Sequence, residues 1–282
     1  MDAWSRPSAI ASMMAFRFDP RPEIRTPRIG VGDLFRVAST LRIVTRKQES
    51  SHMPRRLRHT LQGTVFHVLN RGARRATLFH DDCDYLSFLS VVREGLPRFD
   101  VKVIAYCLMP NHWHFVIQCD RVADLSRLMH WITGTHAQRW HVVHGTRGTG
   151  SVYQGRFTAL PVQTERYFVR VCRYVERNPL RAGLVVGAEQ WKWSSLSPPR
   201  KNCAPIPLGP WPIPQPSNWI DIVNRVDSGS ELESIRKMMR RGLPLGNPDW
   251  QRAVAPFCGL SMRPRGRPRK RSPTPLSGDR QR

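Results

Sequence analysis

From Gly63 onward the chain alternates between positions suited to burial and positions suited to water, in two distinct periods. Val65, His67 and Leu69 share one parity and Phe66 and Val68 the other, the period-2 pattern of a strand whose successive side chains face opposite ways. Asn70-Arg71-Gly72 reads as the turn that ends it. The period lengthens over Asp81 to Leu96, where Tyr85, Phe88, Leu89 and Val92 recur at helical spacing behind Asp81 or Asp82 as N-cap. Val101 to Leu108 returns to strand, Met109-Pro110-Asn111 turns the chain, and His112 to Gln118 forms an antiparallel partner. A second helix is predicted over Asp124 to Val143, with Leu125, Leu128, Met129, Ile132 and Ala137 as its apolar stripe and Arg127, His130 and Arg139 on its polar side. Gly145 to Gly150 is too glycine-rich to hold secondary structure. A third helix runs through TERYFVRVCRYVERNP. Thr164 is its expected N-cap, Glu165 lies in its first turn, Phe168, Val171, Cys172 and Val175 form its stripe, and Pro179 ends it. Strand, helix, strand, strand, helix describes an α+β sandwich with an antiparallel sheet.

Two places on this framework carry chemistry. His112 and His114 flank Trp113 on a strand, so both imidazoles point to one face and the indole to the other. Two imidazoles on one rigid face can share a metal ion; taken alone, such a pair is more often met as ordinary surface or core histidines. About sixty residues on, Tyr167, Arg170, Tyr174 and Asn178 fall on a stripe beside the apolar one. Tyr174 and Asn178 are four apart, which presents a phenol and an amide oxygen one turn from each other. His67 reads as a structural histidine, although its strand brings it near the pair.

These elements together resemble the HUH single-tyrosine transposases and, within them, the REP-associated tyrosine transposases. The resemblance spans residues 53–195 and includes GTVFHVLNRG, VKVIAYCLMPNHWHFVIQ, VYQGRF, RYVERNPLRAGLV and WKWSS. It implies a ferredoxin-like sandwich, with the histidine strand at the centre of the sheet and the tyrosine helix beside it. It implies Tyr174 as nucleophile, with Tyr167 the competing residue, and His112, His114 and Asn178 as ligands of Mg²⁺ or Mn²⁺. Gln154, Arg156 and Phe157 match a segment beside the family's active site, where an arginine can hold a phosphate and a phenyl ring can stack a base. Arg173 and Arg177 flank Tyr174 and are expected to track the DNA backbone. The implied substrate is single-stranded DNA that forms a hairpin at palindromic repeats, cleaved and rejoined through a 5′-phosphotyrosine, with the protein acting as a monomer or homodimer. A phenol with an ordinary pKa near ~10 needs activation for this role. Rival readings are a domesticated DNA-binding protein without transposition activity, a metal-dependent nuclease that uses water, and an RNA-binding sheet. The last needs exposed aromatics where the histidine pair stands.

Charge strengthens the nucleic-acid expectation. With 45 Lys and Arg against 21 Asp and Glu, the 282-residue chain carries a formal charge of +24, which suits a polyanionic partner. Residues 1–52 read as a disordered basic arm or as sequence ahead of a true start at Met53. Residues 53–197 form the transposase-like domain, 198–229 a proline-rich linker, 230–260 a small helical appendage, and 261–282 a basic tail. The appendage starts with Ser230 as cap and Glu233 three residues later, and ends in a further helix near Trp250 to Phe257. It suits either DNA reading or packing on the catalytic domain. In the tail, Arg265, Arg267 and Arg269 lie in RPRGRPRKR, which resembles an AT-hook fitted to a narrow A·T-rich minor groove; a plain basic tail is the alternative. The six cysteines have irregular spacings and no CxxC pair, which disfavours a zinc ribbon or a disulfide framework and suits a reducing cytoplasm. No apolar run is long enough to span a membrane. A nucleoid-associated bacterial cytoplasmic protein is the expected setting.

Overall fold

The structure, a computed structural model, describes residues 63–199 and 204–256. The arm at 1–52, Cys203, Cys258 and the three AT-hook-like arginines lie outside the described residues. Strands β1 (Thr64–Arg71), β2 (Val101–Met109), β3 (His112–Cys119) and β4 (Thr158–Val162) form one antiparallel sheet in the order β2-β3-β1-β4. Helix α1 (Asp82–Gly95) connects β1 to β2, and α2 (Val122–Val143) connects β3 to β4. This is the ferredoxin-like α+β arrangement, with the histidine strand in the sheet's interior.

Alternation along the strands builds two cores. Phe66 and Val68 of β1, Leu108 of β2, and Trp113, Phe115 and Ile117 of β3 pack against Phe88, Leu89, Val92, Leu125, Leu128 and Ile132 of α1 and α2. On the opposite face, Val65, Cys107, Val116 and Leu160 meet α3 (Arg166–Glu176) through Phe168, Val171, Cys172 and Val175. Every residue expected on the α3 stripe is therefore buried. Cys107, Cys119 and Cys172 are buried core residues, and burial pushes each thiol's pKa up.

A polar thread crosses the first core. Trp113 Nε1 donates to the Tyr153 hydroxyl at 3.3 Å, and that hydroxyl lies 2.8 Å from His136 Nδ1 on α2. Burial drives His136 down from 6.5 to about 4, so its neutral ring accepts the phenol proton. An unfolded histidine protonates below about 6.5, whereas this one stays neutral. Its contribution is complete above that pH and is lost as pH falls toward about 4, a difference of roughly 3 kcal/mol. Denaturant midpoints measured across this window should fall with acid in the wild type. His136→Gln, which keeps an acceptor for Tyr153, should flatten that slope.

Several boundaries differ from the sequence pattern. β1 continues through Asn70 and Arg71, because both pair with β3 opposite Trp113 and His112. The short strand β4 was not expected. α3 has no Thr164 cap: Glu165 precedes it with φ at 65°, and no side chain closes its first turn. The helix ends at Glu176, and Pro179 sits in the first turn of a separate short helix, α4 (Asn178–Arg181), where a missing N–H costs nothing. Helix α5 (Trp219–Asn224) is new, and α6 (Gly229–Arg241) is capped by Ser228, whose side chain accepts from the Glu231 N–H. Ser230 thus lies two residues past the true cap and Glu233 five. Helix α7 (Pro248–Val254) is capped by Asn247.

Residues 204–256 pack on the sheet and on α3. Gly209 N–H donates to the Val103 carbonyl at 2.8 Å, and Leu245 N–H donates to Pro161 on the free side of β4, also at 2.8 Å. Trp211 meets Phe168 and Trp219 edge-on. Glu176, buried at the end of α3, accepts from Ser195 Oγ and Trp219 Nε1, each at 2.6 Å. Burial pushes its carboxyl up to about 7 against the pull of those two bonds. Among the described residues no helix is long and apolar enough to cross a membrane.

Candidate active site

β3 turns His112 and His114 toward the face that α3 covers, while Trp113 anchors the strand in the opposite core at 0% exposure. The two imidazole centroids are 4.9 Å apart and nearly perpendicular. His114 is buried and His112 half-buried, so one ring is shielded and the other is partly open to solvent.

Each ring has its Nδ1 engaged. His112 Nδ1 lies 2.7 Å from Asn111 Oδ1, an acceptor, so this nitrogen carries the proton and Nε2 keeps its lone pair. His114 Nδ1 lies 2.9 Å from His67 Nε2 on β1, and the two rings stack at 5.1 Å. With His114 as donor, its Nε2 is also free to ligate. Burial holds His67 at about 3, and burial aided by Arg71 and Arg181 holds His112 at about 4. His114 is driven well below its usual value by burial and by the neighbouring His112 and His67. All three rings are therefore neutral near pH ~7, the state a metal requires of imidazole. His67 acts as the orienting partner behind a ligand. Its signal was present in the β1 alternation, which places it on the same face as the pair.

Tyr174 stands over this cluster. Its ring is 6.0 Å from His114 and 6.2 Å from His67, edge-on to both. Tyr167, half-buried seven residues earlier, meets Arg170 at 5.7 Å and has no ring contact with the histidines. Asn178 is 8% exposed. Its Oδ1 accepts from Arg181 Nη2 at 2.7 Å, and its Nδ2 is buried without a partner. Arg181 also lies over the Tyr174 ring at 4.3 Å. Sequence reading missed Arg181, although it follows Tyr174 by seven residues and Asn178 by three, both helical spacings. Two neutral imidazole nitrogens and the Asn178 amide oxygen form a donor set that fits a small divalent cation of mixed nitrogen and oxygen preference. The Asn178 oxygen carries two lone pairs, so it can accept from Arg181 and still offer the other to an ion.

The other expected residues divide. Gln154 and Arg156 are exposed. The Gln154 N–H donates to the Arg71 carbonyl at 2.9 Å, and Arg71 pairs with His112 across the sheet, so this segment borders the histidine end. Phe157 is half-buried against the first core. Arg173 and Arg177 are engaged by residues 222–227. Arg173 pairs with Asp227 at 2.8 Å and donates to Ile222, whereas Arg177, 8% exposed, donates to Val223 and Asn224 and pairs with Asp227 at 3.2 Å. In this structure both guanidiniums hold the segment from α5 to Asp227 against α3. Arg181 lies 3.8 Å from the same carboxylate, so one acid steadies three arginines around the tyrosine.

Residues 60–178 match the family model described as transposase, IS200 like. Among solved structures, the chain is similar to a REP-associated tyrosine transposase bound to a REP hairpin, at 18% identity and a TM-score of 0.41, over 57% of this chain and 100% of that one. It is also similar to a protein described as a transposase from Deinococcus radiodurans R1, at 14% identity and a TM-score of 0.32, over 45% of this chain and 92% of that one. No curated protein matches it.

Proposed function

We propose, from the match of residues 60–178 to the IS200-like transposase family model, that the chain cleaves and rejoins single-stranded DNA through a covalent bond to Tyr174. The observation that carries this is the approach of the Tyr174 ring to 6.0 Å from His114 on one layer of the fold. His112, His114 and Asn178 would hold Mg²⁺ or Mn²⁺. Such an ion, when bound, polarises the scissile phosphate and steadies the leaving oxygen.

The chain's own side chains do the rest. The Tyr174 oxygen attacks phosphorus in line, the bond to the 3′-oxygen breaks, and the proton the phenol gives up to solvent is balanced by the one the departing 3′-oxygen takes from it to leave as a hydroxyl. The product is a 5′-phosphotyrosine that preserves a phosphate ester, so a different 3′-OH can reverse the step and join another strand. Arg181, over the tyrosine ring and bonded to Asn178, supplies positive charge where the phosphate arrives. His67 keeps His114 in the ligating tautomer. Gln154 and Arg156, both exposed and next to the Arg71 end of β1, would meet the backbone of a hairpin-forming repeat, and the AT-hook-like Arg265, Arg267 and Arg269 would add contacts to flanking duplex.

Incubation of the full chain with a labelled single-stranded hairpin and Mn²⁺ should give a protein–DNA complex that survives denaturation, and EDTA should prevent it. Cleavage with no such complex would point to a hydrolase. Retention of the hairpin with no cleavage would point to a domesticated DNA-binding protein, and either result contradicts the proposal.

A further inference from the structure

A second group of ligating atoms stands on the other layer of the fold. His80 and Asp84 bracket the start of α1, and His144 follows the last turn of α2. One ligating atom from each lies within 4.8 Å of the other two. These helices cover the sheet face that receives Trp113, away from the face that carries His112 and His114.

The cluster is built rather than scattered. Asp84 is only 7% exposed. Its Oδ2 accepts from the His80 backbone N–H at 2.8 Å, which fixes the carboxylate and leaves Oδ1 turned to His144 Nε2 at 2.9 Å. Two neighbouring ligand atoms on an ion bound at ~2.0–2.2 Å are themselves separated by roughly 3 Å, so this pair already has the spacing of adjacent ligands. His144 is held by Trp140, whose ring centroid is 4.3 Å away, and His80 lies 5.1 Å from His144, ring to ring. His80 is exposed, which gives the third ligand freedom to close and leaves a further position open to water. Asp81 and Asp82 add negative charge beside the trio.

We propose that His80, Asp84 and His144 form a second divalent-ion site, for a borderline transition ion of the Zn²⁺ class, that clasps the start of α1 to the end of α2. Two imidazoles and one carboxylate are donors such an ion favours over Mg²⁺, which prefers an all-oxygen shell. The site is independent of the Tyr174 chemistry, and its occupancy would lock the helical layer rather than act on DNA.

The test is Zn²⁺ titration of the tag-free, metal-stripped full chain by calorimetry, beside thermal melting with and without Zn²⁺. Cys83, an exposed thiol at the start of α1, is the neighbouring group that could ligate instead, so wild type and Cys83→Ser should each bind one Zn²⁺ more than His80→Ala or His144→Ala. Zn²⁺ should raise their melting temperature by several degrees more than it does for those two variants. His80 is exposed, so its replacement leaves the fold intact. Equal Zn²⁺ binding by wild type and His80→Ala overturns the site. Loss of binding in Cys83→Ser, with a thiolate charge-transfer band in the Co²⁺ form, overturns the ligand set. No DNA enters the measurement, so its failure is separate from failure of the strand-transfer proposal.

Discussion

Tyr174→Phe is expected to eliminate the covalent protein–DNA complex and to lower strand cleavage by on the order of 10³-fold or more, with little change in stability. The substitution removes one oxygen from a half-buried ring and keeps its edge-on contacts with His67 and His114. The loss should therefore be one of chemistry, not of folding, and circular dichroism with a melting curve will separate the two. Tyr167→Phe is the matched control. Its ring has Arg170 as its cationic neighbour and stands apart from the histidines, so adduct formation should continue.

The second large effect is expected at His112. His112→Ala should abolish Mn²⁺-dependent cleavage, by on the order of 10²-fold or more, and should match the wild-type protein in EDTA. Its side chain reaches the half-exposed rim and its Nδ1 bonds only the neighbouring Asn111, so the core is not asked to repack. His114→Ala would mix two effects. It removes the other ligand and also strips the buried His67 Nε2 of its partner, and a buried polar atom left unpaired costs about 1–3 kcal/mol. His112 is thus the cleaner probe of the metal's role, read as cleavage rate against Mn²⁺ concentration.

Much of this site was legible in the chain. Period-2 alternation put both histidines on one face of β3, and helical spacing put Phe168, Val171, Cys172 and Val175 under α3 with Tyr174 on the adjoining stripe. Those signals are strong because burial fixes them: a slip of one residue would send the imidazoles into the Trp113 core. What the pattern could not carry was pairing across distance. Arg173 and Arg177 read as free cations because their partner, Asp227, lies about fifty residues away in the chain. β4 escaped notice because TALPV is short and contains Pro161, which is tolerated only on an edge; Leu245 then covers that edge by donating to Pro161. The cap of α6 moved from Ser230 to Ser228 because SGSELE offers two serines, and only geometry decides which N–H each can reach. His67 was visible as a strand residue, but its orienting role needed the 2.9 Å contact with His114.

The most direct measurement is to locate the DNA on the protein. Trypsin cuts after Arg166, Arg170, Arg173 and Arg177, so Tyr167 and Tyr174 fall in separate peptides, YFVR and YVER. After reaction with a single-stranded hairpin and nuclease trimming, mass spectrometry should find a nucleotide phosphate on the peptide that carries Tyr174. The same mass on the Tyr167 peptide, or cleaved DNA with both peptides unmodified, would contradict the account.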